Sequence, residues 1–309
     1  MSVLPQITVV VCTRNRAIAL GTALSTLTVL KTDERFRYEI LVIDNGSTDS
    51  TQQVVRDVAA HANVTVRSVI EPEAGIVSAR NRGIQESTGE WIAFFDDDQL
   101  AEDRWLLELL TMAERKGCRC VGGMVRLKLP EGPQRKLTPV SRMLLGETVG
   151  MDEPRTYNDR VTPGCGNLMV HRSVFQEIGR FDPRMKDRGE DTDLYLRMLK
   201  SGIVGWFTPK AVIHHVIPAE RLNDAFLIKL SARMACGMAE NERRVWGAWR
   251  YPLIWMARVA QAAIVLTPRW IAARIRGDHE AAVGALCRLR IANDSLRNGF
   301  RLMMTGGSG

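Results

Sequence analysis

The stretch that decides the fold reads Trp91-Ile92-Ala93-Phe94-Phe95-Asp96-Asp97-Asp98-Gln99. Its first five residues are apolar or aromatic, which is typical of a short buried strand. Adjacent carboxylates repel one another and are costly to desolvate, so the three that follow are expected at a strand end, facing water or a cation. Strand alternation would place Asp96 and Asp98 on one face and Asp97 on the other. Asp96 and Asp98 are therefore predicted to share a hard divalent cation, and a solvated turn that caps the next helix is the alternative.

Two further apolar runs lie upstream of this stretch and also end in polar residues. Ile7–Cys12 leads into Thr13, and Tyr38–Ile43 leads into Asp44. Helical segments alternate with these runs at short spacing, which predicts a mostly parallel sheet with helices on both faces. Ligands of such sheets bind beyond the carboxyl ends of the strands. Thr13, Asp44 and Asp96 are therefore predicted to meet at one edge of the sheet.

The second half of the chain is less regular. The segment Leu127–Pro163 is rich in proline and has little periodicity. It is predicted to be a long, partly ordered loop, which in a compact domain is usually a lid or a binding loop. Short strands are predicted at Val204–Phe207 and Ala211–His215, and helices from Ala219 onward. The predicted domains are residues 1–220, which carry the chemistry, and a helical extension over 221–309.

The net charge of +7 is concentrated in that extension. Residues 221–309 contain 14 Lys and Arg against 6 Asp and Glu, whereas the first 220 residues contain 28 basic and 29 acidic side chains. Four of the seven tryptophans also lie there, namely Trp246, Trp249, Trp255 and Trp270. This composition suits peripheral contact with an anionic membrane. No nucleic-acid-binding motif accompanies it, and a helical cap or dimer surface is the alternative.

The six cysteines show no CxxC pair and no ladder of spacings. Together with the lack of a signal peptide at Met1–Pro5, this predicts reduced thiols in a cytoplasmic protein. Cys118 and Cys120 lack further ligands at zinc-site spacing, so a structural zinc is not predicted. No uninterrupted apolar run approaches the roughly 20 residues that a spanning helix needs. The predicted location is cytoplasmic, with peripheral contact at the inner face of the membrane as an option.

Five stretches carry a family resemblance, and each alone is a weak signal. In chain order they are VVVCTRNR (9–16), VIDNGSTD (42–49), GIVSARNRG (75–83), FDDD (95–98) and GEDTDL (189–194). Together, in this order, they resemble a family 2 glycosyltransferase of the GT-A fold, over residues 7–216. The resemblance implies an α/β fold, a doubly wound and mostly parallel sheet flanked by helices, to which the helical extension is added. It does not specify the sugar.

The resemblance implies a nucleotide site built on the early strands. Asp44 would accept a hydrogen bond from the N3–H of uracil or an equivalent base edge, with a turn-capping role as the alternative. Thr13 and Arg14 would make further nucleotide contacts. Arg80 would contact the diphosphate or the base, or else pair with the acidic triplet.

The resemblance also implies a metal site. Asp98 would bind Mn²⁺ or Mg²⁺ directly, and the metal would bridge the two phosphates and neutralise the leaving diphosphate. His215 would be a second ligand, with a structural histidine as the alternative. Asp96 would contact the ribose, or the metal through water. Asp97 is counted with the nucleotide-binding residues, although alternation favours a structural role for it.

Chemistry at the acceptor requires a base, because the attacking hydroxyl must lose its proton. By resemblance Glu190 and Asp191 are the catalytic acidic pair of the family, and Asp191 is the expected base. The alternative is that Asp191 only places a negative charge at the N-terminus of a helix, where such charges are favourable. Gly166 and Asn167 would line the donor-sugar or acceptor side, together with Glu190.

The predicted activity is thus an inverting hexosyl transfer that depends on a metal. It would move sugar from a nucleotide-diphosphate sugar, with UDP-sugar favoured, to a hydroxyl of a glycan or lipid-linked acceptor. The expected setting is the synthesis of cell-surface polysaccharide or glycoconjugate. A sugar-nucleotide nucleotidyltransferase is an alternative, but the turn Cys12–Arg16 lacks the glycines of a phosphate loop. A non-catalytic binding protein of the same fold is the other alternative.

Overall fold

A computed structural model describes residues 4–132, 135–185 and 189–304. The described strands are β1 (Gln6–Thr13), β2 (Arg37–Asp44), β3 (Thr65–Ile70), β4 (Trp91–Asp96), β5 (Gln99–Ala101), β6 (Cys120–Lys128), β7 (Arg155–Thr156), β8 (Asn167–His171) and β9 (Trp206–Val216). The described helices are α1 (Ala17–Leu27), α2 (Thr51–His61), α3 (Ile76–Glu86), α4 (Trp105–Lys116), α5 (Pro139–Leu144), α6 (Arg172–Ile178), α7 (Glu190–Lys200), α8 (Asp224–Gln261), α9 (Thr267–Ile275) and α10 (His279–Met304). A π-helical turn, Ala262–Leu266, joins α8 to α9.

The strands form one mixed sheet in the order β3-β2-β1-β4-β8-β6-β9-β5, and β7 pairs with β9. The first four strands are parallel, as the sequence predicts, and β8 and β6 add antiparallel neighbours. Thr13 lies opposite Asp44, and Cys12 lies opposite Asp96. The predicted α/β fold with a helical C-terminal segment is confirmed, and its polar strand ends meet at one edge.

The central strands are buried on both faces, which explains their unbroken apolar runs. Val9 and Val11 pack on one face with Phe95 and Trp105, whereas Val10 packs on the other with Phe94. These β-branched and aromatic side chains fill two cores, one on each side of the sheet. The sheet is therefore a rigid platform for the loops at its edge.

Two details of the strand prediction differ from the structure. The strands predicted at Val204–Phe207 and Ala211–His215 are one strand, β9, which continues through Pro209. The three-residue strand β5 was not predicted, because the acidic triplet in front of it conceals a short extended segment. β5 pairs with the end of β9, so that Gln99 lies opposite His215.

The chain separates into two compact units. The first comprises Met1–Arg126 and Gly150–Val216, and the second comprises Leu127–Val149 and Ile217–Gly309. Most of the stretch predicted as a lid thus clusters with the C-terminal helices and contains α5. The assignment of the chemistry to residues 1–220 and of a separate role to 221–309 stays a prediction.

The second unit has its own apolar core, in which α5 packs with the long helices. Val140 and Leu144 are 6% and 5% exposed and contact the same cluster as Leu227, Val283 and Cys287. Ion pairs also join the parts of this unit. The Arg135 guanidinium, before α5, lies 2.7 Å from both Asp224 on α8 and Glu280 on α10.

No helix in the described part of the chain is long and apolar enough to cross a membrane. Trp270 is half-buried. The side chains of Trp246, Trp249 and Trp255 lie outside the described residues, so the predicted aromatic contribution to membrane contact stays a prediction.

Candidate functional site

Strand β4 ends at Asp96, and the next two aspartates form the turn into β5. Strand alternation therefore does not apply beyond Asp96, and the prediction that Asp96 and Asp98 share one face by alternation is wrong. Each carboxylate has its own surroundings. Asp97 is 4% exposed, whereas the side chain of Asp96 keeps 42% of its surface accessible.

Asp97 is held by the turn that follows β1. The Thr13 hydroxyl donates a hydrogen bond to Asp97 Oδ2 at 2.7 Å, and Arg16 Nη1 donates to Oδ1 at 2.7 Å. The same Nη1 lies 3.2 Å from Asp98 Oδ2. Burial raises the pKa of Asp97, and the charge of Arg16 and the hydrogen bond from Thr13 oppose that rise. The hydrogen bond between Thr13 and Asp97 therefore holds the end of β1 against the acidic turn.

Arg16 is a site residue that the sequence interpretation missed. Arg14 is the predicted contact, and both arginines are exposed, but it is Arg16 that reaches Asp97 and Asp98. The available signal was the spacing: Arg16 is the last residue before α1, where a long basic side chain reaches back across the edge of the sheet.

Asp98 faces His215. The distance from His215 Nε2 to Asp98 Oδ2 is 3.5 Å, and the two side chains are 18% and 20% exposed. Pairing of β5 with β9 creates this contact, and the Val216 amide donates to the Asp98 carbonyl at 2.9 Å. The neighbouring His214 points elsewhere, with its Nε2 3.2 Å from Glu102. Of the two histidines, the structure brings only His215 to the acidic turn.

This pair suits a divalent cation that the substrate helps to bind. Carboxylate oxygen and imidazole nitrogen are both ligands that Mn²⁺ accepts. Among the described residues no group of three or more His, Cys, Asp or Glu side chains forms a complete metal cage. Cations at phosphate-binding sites often take one or two protein ligands and complete their shell with phosphate oxygens. Asp98 and His215 fit a site of that kind.

Asp44 is 2% exposed and lies at the carboxyl end of β2. Its Oδ1 accepts a hydrogen bond from the Ser47 amide at 2.8 Å, and its Oδ2 accepts from Gln52 Nε2 at 2.6 Å. A carboxylate has about four lone-pair sites, so two remain for a ligand. Asp44 therefore caps the turn, and its contact with a base stays a prediction. Gln52 was not predicted.

Arg80 joins the acidic turn to the start of α7. It is 7% exposed, its Nη1 donates to Glu190 Oε1 at 2.6 Å, and its Nη2 lies 3.7 Å from Asp96 Oδ1. The guanidinium lies over the ring of Phe181, 5.7 Å from the centroid. Charge, burial and stacking hold Arg80 in one orientation. The structure brings together three predicted site residues here, Arg80, Asp96 and Glu190.

Asp191 follows Glu190 in the first turn of α7. The preceding Gly189 has φ of 96°, a left-handed conformation that favours glycine and sets the direction of the helix. Asp191 Oδ1 accepts a hydrogen bond from the Thr192 amide at 2.7 Å. Burial and the negative charge of Glu190 raise the pKa of Asp191, opposed by Arg80. A raised carboxyl pKa is what a general base working near neutral pH requires.

Gly166 lies against the acidic turn. A Cβ at this position would come within 2.5 Å of both Asp96 Oδ2 and Gln99 Nε2, so only glycine leaves room for these side chains. This position near the carboxylates agrees with the predicted sugar side of the site, although a sugar contact stays a prediction.

The observed surroundings of Asn167 differ from the predicted ones. It is 3% exposed; its Oδ1 accepts from the Trp105 indole at 2.7 Å, and its Nδ2 donates to the carbonyls of Met124 and Ala211, each at 3.0 Å. The prediction that Asn167 lines the site is corrected, because its amide is turned into the sheet. It instead links β8 to β6, β9 and α4.

Comparisons with known proteins identify the family of the chain. The model of the family described as glycosyl transferase family 2 matches residues 8–179, more than half of the chain. The succinoglycan biosynthesis protein ExoM of Rhizobium meliloti is 29% identical over 245 residues, covering 76% of this chain and 77% of that protein. The glycosyltransferase AglE of Haloferax volcanii is 29% identical over 193 residues, covering 61% and 60%.

Solved structures support the fold. A mannosyltransferase from Pyrobaculum calidifontis, in complex with GDP-Man and Mn²⁺, superposes with a TM-score of 0.62 at 18% identity, covering 96% of this chain and 88% of that one. GalNAc-T7 with UDP, GalNAc and Mn²⁺ gives a TM-score of 0.57 at 17% identity, covering 75% and 48%. By the extent of its match to the family model, and in agreement with this fold, the chain belongs to glycosyl transferase family 2.

Proposed function

We propose that the protein is an inverting, metal-dependent hexosyltransferase. It uses a nucleotide-diphosphate sugar, with a UDP-sugar favoured, and transfers the sugar to a hydroxyl of a glycan or lipid-linked acceptor. The observation that supports this most is the ion-pair chain through Arg80, which connects Asp96 on the acidic turn to Glu190 beside Asp191. A nucleotide site and a general base are thereby held in one rigid arrangement.

Three residues have a defined task in the proposed reaction, namely Asp191, Asp98 and His215. Asp191 accepts the proton of the acceptor hydroxyl while that oxygen bonds to the anomeric carbon. The bond from this carbon to the phosphate oxygen breaks, and the nucleoside diphosphate leaves with the electron pair. One displacement inverts the anomeric configuration. Asp98 and His215 would hold Mn²⁺ or Mg²⁺, which neutralises charge on the departing diphosphate when bound.

The relatives support this class of reaction. ExoM is named for succinoglycan biosynthesis, and the two solved structures contain GDP-Man or UDP with Mn²⁺. A role in polysaccharide or glycoconjugate synthesis follows from that similarity. The basic extension supports a cytoplasmic enzyme in peripheral contact with the inner face of the membrane.

A thermal-shift panel tests the proposal. UDP, GDP, CDP and dTDP would each be added with Mn²⁺, with Mg²⁺ or with EDTA, since a ligand that binds only the folded state raises Tm. We expect UDP to raise Tm in the presence of metal and to lose most of this effect in Asp98→Asn. A panel in which no nucleotide stabilises the protein in a metal-dependent way would contradict the proposal. The anomeric configuration of the product, read by NMR, tests inversion.

A further inference from the structure

The loop that follows α6 carries the aromatic ring over which Arg80 lies. Phe181 in this loop is 2% exposed, and the guanidinium of Arg80 lies 5.7 Å from the centroid of its ring. The same ring contacts Phe94 of β4 edge to face, with 5.6 Å between the two centroids. It therefore contacts both the buried core and the guanidinium, and its position affects where the guanidinium lies.

Asn81, the residue after Arg80 in α3, holds the backbone of this loop. Its Nδ2 donates a hydrogen bond to the Phe181 carbonyl at 2.9 Å, and its Oδ1 accepts one from the Phe181 amide at 3.0 Å. One side chain thus satisfies both backbone polar groups of a buried residue, which would be costly to leave unpaired. The pair of bonds fixes Phe181 relative to α3, the helix that carries Arg80.

Helix α7 holds the same loop through Arg197. Its Nη1 donates to the Ile178 carbonyl at 2.8 Å, and its Nη2 donates to the Arg180 carbonyl at 2.9 Å. Hydrogen bonds from a charged donor are stronger than those between neutral groups. The loop is therefore tied both to α3 and to α7, the helix whose first turn contains Asp191.

The guanidinium of Arg80 is the group through which this loop acts on the proposed base. Its Nη1 donates to Glu190 Oε1 at 2.6 Å, directly beside Asp191 in the chain. Among the described residues, the ionisable groups that face Asp191 are Glu190 on its own helix, Arg80 on α3 and the buried thiol of Cys165 before β8. Burial and Glu190 raise the pKa of Asp191, and Arg80 lowers it. A displaced guanidinium would leave the two carboxylates to repel each other and would raise that pKa further.

We propose that Asn81 and Phe181 are positioning residues of the transfer reaction. Asn81 fixes the loop, the ring of Phe181 holds Arg80 in place, and Arg80 in turn compensates the negative charge beside the base. The inference rests on the proposed function, because it gives these two residues a task beside Asp191. The alternative is a purely structural role, in which the loop only completes the core.

Titration of Asp191 by ¹³C NMR tests the inference without any substrate. The protein would be labelled at the aspartate carboxyl carbons, and the signal of Asp191 would be identified by its loss in Asp191→Asn. Phe181→Leu keeps an apolar side chain and removes the ring, so that Arg80 loses its aromatic contact. We expect the pKa of Asp191 to rise by about 0.5 in this variant.

Phe175→Leu is the matched control. Phe175 is 6% exposed and also contacts Phe94 edge to face, with 6.2 Å between the centroids. Both substitutions thus remove a phenyl ring from the same core and should lower Tm, whereas only Phe181→Leu should raise the pKa of Asp191. Equal pKa values in the two variants, or an unchanged value in Phe181→Leu, would overturn the inference.

A second variant tests the hydrogen bonds of Asn81. Leucine is similar in size and favours helix, so Asn81→Leu should preserve α3 while both bonds to the Phe181 backbone are lost. We expect the pKa of Asp191 to rise here as well. The double variant Asn81→Leu/Phe181→Leu should show no further rise, because both residues act through one contact. An unchanged pKa in Asn81→Leu, or additive rises, would overturn the role of Asn81.

The proposed function and this inference fail in different ways. Without a metal-dependent Tm shift by any nucleotide in the wild type, the proposed function fails, whatever the pKa of Asp191. A clear shift in the wild type, together with an unchanged pKa in Phe181→Leu, would leave the function standing and overturn the inference. In turnover of UDP-glucose or GDP-mannose with Mn²⁺, read as release of nucleoside diphosphate, the acid limb of the plot of kcat against pH should move to higher pH in Phe181→Leu and stay in place in Phe175→Leu.

Discussion

Asp191 is set apart from its neighbours by its environment rather than by its type. Asp193, two residues later in α7, forms an ion pair at 2.9 Å with Arg197 of the same helix. Among the described residues Asp191 accepts only a local amide hydrogen bond, and burial and the negative charge of Glu190 raise its pKa. Sequence alone cannot separate these carboxylates, because the GEDTDL stretch places both in the first turn of the helix.

Replacing Asp191 tests its assignment as the base. Asp191→Asn keeps the size of the side chain and removes its ability to take a proton, so kcat should fall about 10²- to 10⁴-fold. Nucleotide binding, measured by the thermal shift with metal, should be retained. Asp193→Asn is the matched control and should keep most of the activity. Transfer at the original rate in Asp191→Asn would place the base elsewhere.

The pH dependence of transfer tests the role of Glu190. A base works when deprotonated, so kcat should fall as the pH drops through the raised pKa of Asp191. Glu190→Gln removes a negative neighbour and leaves Arg80 free to favour the charged form of Asp191. The pKa of Asp191 should therefore fall, and the acid limb of the plot of kcat against pH should move to lower pH. A limb that moves to higher pH or stays in place would contradict this coupling.

At the scale of elements, the parallel part of the sheet is tied together by a buried acid. Glu39 on β2 is 6% exposed, and its carboxylate accepts from the Thr8 and Thr88 hydroxyls, each at 2.8 Å, and from Arg67 Nε at 2.9 Å. These partners come from β1, β3 and the turn before β4. Desolvation alone would raise the pKa of Glu39, but hydrogen bonds from Arg67, Thr88 and Thr8 lower it to about 2.

Glu39→Gln should destabilise the sheet, because Arg67 loses its charged partner. We expect a loss of about 2–3 kcal/mol in the free energy of unfolding at pH 7, measured by urea denaturation. Since the folded pKa lies below the ordinary 4.5, the contribution is present above that pH and is lost as the pH falls toward 2. The difference between wild type and variant should therefore shrink at pH 3. Glu86→Gln, which breaks the surface pair with Arg82, is the control and should cost under about 1 kcal/mol.

The loop before β8 offers a second test, built on two nearby glycines. Gly166→Ala would place a methyl group 2.5 Å from Asp96 Oδ2 and Gln99 Nε2, whereas at Gly164 the nearest atom is Asp191 Oδ2 at 3.9 Å. Neither glycine has a left-handed backbone. We expect Gly166→Ala to weaken nucleotide binding by displacing Asp96, and Gly164→Ala to resemble wild type in the thermal-shift assay. Equal effects of the two substitutions would show that Asp96 does not depend on this close approach.

The strands were predictable where one physical signal dominated. β1, β2 and β4 are apolar runs that end in polar residues, and they were predicted within about a residue of their observed ends. β5 was missed because three residues carry too little periodicity. Alternation failed at Asp97 because a turn begins there, and Asn167 was misplaced because a polar side chain next to a glycine loop gives no sign of facing inward. Arg16 enters the site through contacts with the distant acidic turn. Gln52 reaches back from α2 to Asp44, eight residues earlier, and its residue type alone does not indicate this contact.

At the scale of the molecule, two separate stretches of chain build the second unit. Val140, Leu144 and Leu145 on and after α5 are 3–6% exposed and share a core with residues of α8 and α10. Residues 127–149 belong to the stretch Leu127–Pro163, which the sequence predicts to be a partly ordered loop serving as a lid or binding loop, because proline and mixed charge obscure the apolar spacing of α5. Only the packing of that short helix identifies its partner.

Truncation should therefore affect more than the extension itself. A chain that ends at Glu220 leaves the apolar face of α5 without its partners, so we expect a lower Tm and increased binding of a hydrophobic dye such as ANS. A chain that ends at Met304 is the control and should behave as full length. An unchanged Tm in the shorter chain would mean that α5 is stable without α8 and α10.

The interleaving of the two units has a consequence for biosynthesis. Synthesis from the N-terminus delivers α5 to the ribosome exit well before its partners on α10, since Ile291 follows Leu145 by about 150 residues. At about 5–20 residues per second, the nascent chain would carry an uncovered apolar helix for roughly 7–30 s. A holdase chaperone, which binds unfolded chains, would find an uncovered apolar segment at residues 137–145.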